Sequence, residues 1–309
     1  MSAHQPVVSV VIPVFNGALF VAKAVASVRA QSVKDVEIIV VDDGSTDGTQ
    51  AVLVDLQRTA GITYFQQDHG GPARSRNRGI EAARGEFVAL LDCDDVWQSD
   101  KLEAQLAIMR ASPKVGVVHT DYEVVDQDGV VLDRVAARHS DEPLVRAFVG
   151  GHTALPSTLL IRRDILQKVG ALNMELYGSE DSDLTIRLFA ATGFECVDRV
   201  LVRKLQRGHG YRDMAFDEAT HRAKVLSSRE RFLLGLERIQ PLTKAQRTAL
   251  AREWANYFLL CGRAAERSGQ PAAARRFYTR AIGAEPTRLR AYTRWLRTFL
   301  PSPLRCEGA

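Results

Sequence analysis

Residues 36–49 read Val36-Glu37-Ile38-Ile39-Val40-Val41-Asp42-Asp43-Gly44-Ser45-Thr46-Asp47-Gly48-Thr49. Val36–Val41 is β-branched and almost wholly apolar, the pattern of a strand covered on both faces rather than one. It ends at two acids and a glycine turn, and Ser45 is a good capping residue for a helix over Thr46–Thr59. The same unit recurs on either side. Val7–Pro13 leads to a helical stretch at Ala18–Gln31, Ile62–Phe65 to Pro72–Arg84 with a proline in its first turn, and Phe87–Leu91 to Asp100–Ala111. Strand and helix in strict alternation imply a parallel sheet with helices on both faces.

The rhythm changes after Asp95. Val115–His119 and Glu123–Val125 are followed by Asp126-Gln127-Asp128-Gly129 and Val130–Leu132, a hairpin signal that makes the sheet mixed. Thr158–Ile161 reads as a strand, Glu180–Ala191 as an amphipathic helix and Cys196–Leu205 as a last strand. From about residue 215 everything reads as helix. Phe258, Gly262, Gly269, Ala274, Tyr278, Ala281 and Pro286 fall at the spacing of one tetratricopeptide-like hairpin, at about 255–288. One such unit does not bury its own faces, so it is expected to pack on the rest of the chain or on another subunit, which leaves a homo-oligomer open. The expected division is 1–214 for an α/β domain and 215–309 for an α-helical region.

The chain has 309 residues, 46% hydrophobic and 25% charged, the profile of a globular protein. Charge is unevenly divided. Residues 222–309 hold eighteen Lys and Arg against six Asp and Glu, a net +12 within a total of +4, so the remainder is acidic. A tail this basic could attract a membrane surface, an anionic glycan or nucleic acid, while arginines on helix backs need no partner at all; the partner expected is a membrane surface and not nucleic acid. No apolar run reaches the ~18–20 residues of a spanning helix, and the lead sequence lacks a signal-peptide apolar region. Cys93, Cys196, Cys261 and Cys306 have no paired spacing. A cytoplasmic protein is expected, with peripheral contact on the inner face of the membrane through the basic tail.

In an open α/β sheet ligands bind beyond the carboxyl ends of the strands. Those ends carry Phe15-Asn16, Asp42-Asp43 and Asp92-Cys93-Asp94-Asp95. Three carboxylates in four residues repel one another unless a cation neutralises them, and Mg²⁺ or Mn²⁺ takes oxygen ligands; a helix cap needs only one acid. Asp42 and Asp43 suit a base and ribose, although Asp-Gly-Ser is also ordinary turn chemistry. His69-Gly70-Gly71-Pro72-Ala73-Arg74-Ser75-Arg76-Asn77-Arg78-Gly79 joins a glycine turn, a helix start and three arginines, which suits phosphate. Glu180-Asp181 could furnish a general base, or merely complement a helix dipole. Arg207 and His209, after the last strand, could meet diphosphate and metal.

Taken together these residues resemble the inverting glycosyltransferases of family 2, which have the GT-A fold. The resemblance is carried by Ser9-Val10-Val11-Ile12-Pro13-Val14-Phe15-Asn16, Val41-Asp42-Asp43-Gly44-Ser45-Thr46-Asp47, Gly71 with Arg76-Asn77-Arg78-Gly79, Leu91-Asp92-Cys93-Asp94-Asp95, and Glu180-Asp181 with Leu184, Arg187 and Leu188. It spans about residues 7–209. It implies a Rossmann-like mixed sheet flanked by helices, plus the helical extension. It also implies donor contacts from Pro13, Phe15, Asn16, Asp42, Asp43, Arg76, Asp92 and Arg207. Asp94, with Asp92, Asp95 and His209, would hold Mn²⁺ or Mg²⁺, and Asp181, with Glu180, would be catalytic. Gly17-Ala18 and His69 depart from the residues many relatives carry, both on the donor side.

The expected activity is metal-dependent transfer of a sugar, with inversion, from a nucleotide-sugar donor, a UDP-sugar by resemblance. The acceptor is a hydroxyl on a glycan or lipid-linked glycan, as in polysaccharide biosynthesis. A nucleotidyltransferase making a sugar nucleotide would need a glycine-rich, lysine-containing loop near Val14, which is lacking. A non-catalytic scaffold using the helical tail would not need intact acids at every motif.

Overall fold

The computed structural model describes residues 5–136, 155–206, 218–237 and 242–299. They form two compact units, one of residues 5–136, 155–174 and 180–206, the other of residues 175–179, 218–237 and 242–299. The boundary expected near 214 lies outside the described residues.

The first unit runs β1 (Val8–Val14), α1 (Val21–Arg29), β2 (Val36–Asp42), α2 (Thr49–Ala60), β3 (Thr63–Gln66), α3 (Pro72–Ala82), β4 (Phe87–Leu90), β5 (Val96–Trp97), α4 (Lys101–Ala111), β6 (Val115–Val125), β7 (Val131–Val135), a 3₁₀ turn (Pro156–Thr158), β8 (Leu160–Arg162), α5 (Arg163–Val169), α6 (Glu180–Ala191) and β9 (Gly193–Leu205). The nine strands make one sheet ordered β3-β2-β1-β4-β8-β6-β9-β5, with β7 paired to β6. β1 to β4 pair in parallel, while β8 runs antiparallel to β4 and β6. The expected mixed sheet is therefore present.

Continuous apolar strands have the physical consequence anticipated for them. Val8, Val10, Ile12 and Val14 pack with Val21, Val25 and Val28 of α1 and Leu53 of α2. Val11, Ile39, Val41, Val88 and Leu90 face the other way, onto Ala73 of α3, Leu166 of α5 and Leu184 and Leu188 of α6. Each such side chain contributes about 1.5–3 kcal/mol by leaving water. α3 approaches β1 so closely that a Cβ at Gly79 would overlap Val11 Cγ1, which explains why the helix carries glycine there.

Several local expectations are corrected. α2 begins at Thr49, not Thr46, because the Asp47 carboxylate takes the Thr49 N–H (2.9 Å), while Ser45 Oγ accepts from Asn16 N–H (2.9 Å) instead of capping. β6 runs unbroken through His119-Thr120-Asp121, and the expected strand at Thr158–Ile161 is divided between the 3₁₀ turn and β8. β5 and α5 were not anticipated; two and seven residues long, they leave no usable periodicity.

The second unit contains α7 (Glu218–Glu237), α8 (Lys244–Arg267), α9 (Pro271–Ala284) and α10 (Leu289–Arg297). Thr243 and Gln246 form a reciprocal capping box at the start of α8. α8 and α9 are the expected hairpin: Gly269 turns at φ 68°, and Gly262 lies against the fully buried Tyr278, whose ring a Cβ there would overlap. Among the described residues no helix is long and apolar enough to cross a membrane. Cys93, Cys196 and Cys261 are buried.

Candidate active site

The carboxyl ends of β1, β2 and β4 bring the expected residues to one edge of the sheet, where hydrogen bonds tie their loops together. Asn16 stands at φ 49°, a conformation that Asn tolerates better than most residues. Its side chain accepts from Thr46 N–H at 2.8 Å, while Gly17 N–H donates to Thr49 Oγ1 at 2.9 Å. Pro13 is buried within β1, in register with Val41.

Asp42 and Asp43 are 0% and 2% exposed. Asp42 Oδ1 accepts from Ser45 N–H at 3.0 Å. Asp43 gathers one loop: Gly70 N–H (3.0 Å) and Gln67 Nε2 (2.8 Å) reach its Oδ1, and Gly71 N–H (2.7 Å) reaches its Oδ2, with His69 Nδ1 3.0 Å from that same atom. A carboxylate holding this many donors acts as a staple. It places the exposed His69 ring 4.3 Å from that of the half-buried Phe15, beside the β1 terminus.

Arg76 is 5% exposed and bridges two motifs. Its Nη2 donates to Asp92 Oδ1 at 2.6 Å and its Nη1 to Asp181 Oδ1 at 3.0 Å. Burial alone would lower the guanidinium's pKa, but Asp181, Asp92 and Glu180 outweigh it and push the value up, so Arg76 is permanently charged. Its neighbour Asn77 exchanges two 2.8 Å hydrogen bonds with the Leu172 backbone, fixing α3 against the chain that leads toward α6. Glu180 is 8% exposed, whereas the Asp181 side chain is 36% exposed.

The acidic loop alternates in burial. Asp92 and Asp94 are half-buried, Cys93 and Asp95 buried. Ser157, fully buried in the 3₁₀ turn, holds this loop from below: its Oγ accepts from Asp92 N–H (3.1 Å) and donates to Asp95 Oδ2 (2.5 Å), and its carbonyl accepts from Trp97 Nε1 (2.8 Å). Burial pushes the Asp95 carboxyl well above the usual aspartate range, and the charges of Asp92 and Asp94 push it further. Among the described residues no three His, Cys, Asp or Glu side chains are grouped closely enough to hold a metal by themselves. Arg207 and His209 lie outside the described residues. Ser157 and Gln67 escaped the sequence reading, because each contributes through long-range placement and a lone Ser or Gln gives no signal; the sequence singles out Phe15 and His69, but not their contact with each other.

Residues 9–170 match the profile of a family described as glycosyl transferase family 2. An uncharacterized glycosyltransferase of Rickettsia prowazekii is 33% identical over 210 residues, 65% of this chain and 64% of the relative. A Bacillus subtilis protein provisionally named a teichuronic acid biosynthesis glycosyltransferase, TuaG, is 37% identical over 146 residues, 47% of this chain and 57% of its own. The matches thus span less than two thirds of these relatives' lengths. Among solved structures, S. aureus TarS 1-349 in complex with UDP-GlcNAc superposes with a TM-score of 0.67 at 17% identity, covering 94% of this chain and 89% of that one. Mannosyltransferase PcManGT from Pyrobaculum calidifontis, in complex with GDP-Man and Mn²⁺, gives 0.57 at 18%, covering 98% and 83%. At such identities the likeness speaks for the fold, which is the GT-A-like one expected.

Proposed function

The chain belongs to glycosyl transferase family 2, and from that premise we infer that it transfers a sugar from a nucleotide-sugar donor to a hydroxyl of a glycan or lipid-linked acceptor, with inversion. The observation that supports this reading is Arg76, which ties the acidic loop after β4 to the first turn of α6 and so brings Asp92 and Asp181 to one guanidinium. The Phe15–His69 pair offers aromatic surface to a nucleobase, within loops that Asn16, Asp42 and Asp43 staple in place behind Pro13. A UDP-sugar is the first donor to test, on the likeness to the TarS complex; the GDP-Man complex of the second neighbour keeps guanosine donors in the panel.

Divalent metal fits the chemistry of the acidic loop. Mg²⁺ and Mn²⁺ usually bind through one or two carboxylates plus substrate phosphates. Asp92 and Asp94 supply two half-buried carboxylates, whose charges add to burial in raising the pKa of Asp95. A bound dication would stabilise the charge that develops on the departing diphosphate. Asp95, held by Ser157, keeps the loop in shape from beneath. Arg76 is a second positive group for the diphosphate, which competes for it with Asp92 and Asp181. Asp181 takes the proton of the acceptor hydroxyl, and the buried Glu180 adds to the negative field on Arg76.

A thermal-shift screen of UDP-, GDP-, dTDP- and CDP-sugars with Mn²⁺ tests this. A donor at 100 times its dissociation constant stabilises by about 2.7 kcal/mol, and a live transferase also releases sugar slowly to water. Absence of both stabilisation and hydrolysis across the panel would sink the reading.

A further inference from the structure

α10 turns its apolar side outward. Ala291 and, just beyond the helix, Thr298 are 0% and 3% exposed, whereas Leu289, Leu296 and Phe299 are 78%, 59% and 52% exposed. At 100° per residue, Leu289, Tyr292 and Leu296 fall within a 60° arc opposite Ala291 and Thr298, and Phe299 continues the same side. A globular helix normally buries such a stripe. The exposed Arg290 and Arg297 flank it on one side. Arg288 and Arg294 are engaged at Glu285 (2.6 Å) and Glu266 (3.1 Å). No acidic residue occurs between Pro286 and Cys306.

We propose that α10 is an interfacial anchor that lies flat on an anionic lipid surface, with Leu289, Tyr292, Leu296 and Phe299 in the acyl boundary and Arg290 and Arg297 at the headgroups. Charge selects this occupant. An apolar stripe beside arginines and free of acids is the composition of helices that bind in the plane of a bilayer, where each basic residue adds attraction to anionic lipid. A second copy of the chain fits worse, because pairing two such faces brings both copies' Arg290 and Arg297 together. The inference rests on the second unit alone and stands whatever the donor proves to be.

Vesicle co-sedimentation of the full chain tests it, using phosphatidylcholine with and without phosphatidylglycerol at low and high salt. The protein should pellet with the anionic vesicles, not the neutral ones, and release as salt screens the charge. Leu289→Gln with Leu296→Gln should lower partitioning on the order of tenfold or more, since binding scales with buried apolar area. Arg290→Gln with Arg297→Gln should weaken binding and flatten its salt dependence. Circular dichroism of each variant should match wild type, because all four side chains are exposed. The proposal is overturned if anionic vesicles do not bind at low salt, or if the leucine pair binds like wild type, which would leave only the net charge of the tail. It is equally overturned if sedimentation equilibrium reveals a leucine-dependent dimer without vesicle binding, which would make the face a contact between copies.

Discussion

Arg76 and Asp181 lie 105 positions apart in sequence, yet the Arg76 guanidinium donates to the Asp181 carboxylate at 3.0 Å. The same guanidinium reaches Asp92 at 2.6 Å, so one buried cation holds α3, the acidic loop and the start of α6 in fixed relation. If Asp181 is the base, Asp181→Asn should lower transfer by at least ~10²-fold while the donor-induced rise in melting temperature survives. Steady-state rates and thermal shift on the same preparation separate the two effects. Undiminished turnover would remove Asp181 from the mechanism.

Asp95 makes a pH-dependent prediction. Its folded pKa lies above the unfolded value through burial and the charges of Asp92 and Asp94. A raised carboxyl favours the fold fully below the ordinary aspartate pKa of ~3.9, and that contribution is lost as pH rises through the folded value. Toward higher pH the group therefore costs stability, which Asp95→Asn should restore while its amide oxygen still accepts from Ser157. The variant should melt a few degrees above wild type at neutral pH without divalent cation, at roughly 2–4 °C per kcal/mol, and the gap should close toward acid pH. Melting curves that stay parallel across pH would show that Asp95 carries no such strain.

Ser157→Ala removes the partner of Asp92 N–H and of the Asp95 carboxylate in a fully buried place. Leaving buried polar groups unpaired costs about 1–3 kcal/mol, measurable by urea unfolding. Because the lost bonds hold the acidic loop rather than the base, donor affinity should fall more than kcat. A variant whose kcat alone drops would place Ser157 in the chemistry instead.

The strands and helices of the first half were legible because both faces of β1, β2 and β4 are covered, which writes continuous apolar runs into the sequence. The acidic and glycine-rich turns were legible for a related reason, since turns and capping restrict residue type. How the acids divide their work was not. Asp43 looks from its sequence as available to a ligand as Asp94 does, yet it is stapled beneath the 67–71 loop, and only three-dimensional placement distinguishes the two. The outward apolar side of α10 was likewise hidden, because a periodic stripe tells that one side differs from the other but not which side is packed.

Metal affinity gives the last prediction. With no three-ligand group among the described residues, those residues offer a dication the carboxylates of Asp92 and Asp94, and water and diphosphate are the expected source of further ligands. Mn²⁺ should therefore bind weakly to the free chain and far more tightly with a nucleoside diphosphate present, each strengthening the other by the same factor as linkage requires. Calorimetric titration with and without UDP measures this directly, with GDP as the second nucleotide. Chelation should abolish transfer and Mn²⁺ restore it, while Asp94→Asn should shift the Mn²⁺ requirement upward by about 10–100-fold or more, since losing a ligand is at least as costly as losing a supporting residue. Tight Mn²⁺ binding to the nucleotide-free protein, or transfer that survives chelation, would show that the acidic loop serves the donor in some other way.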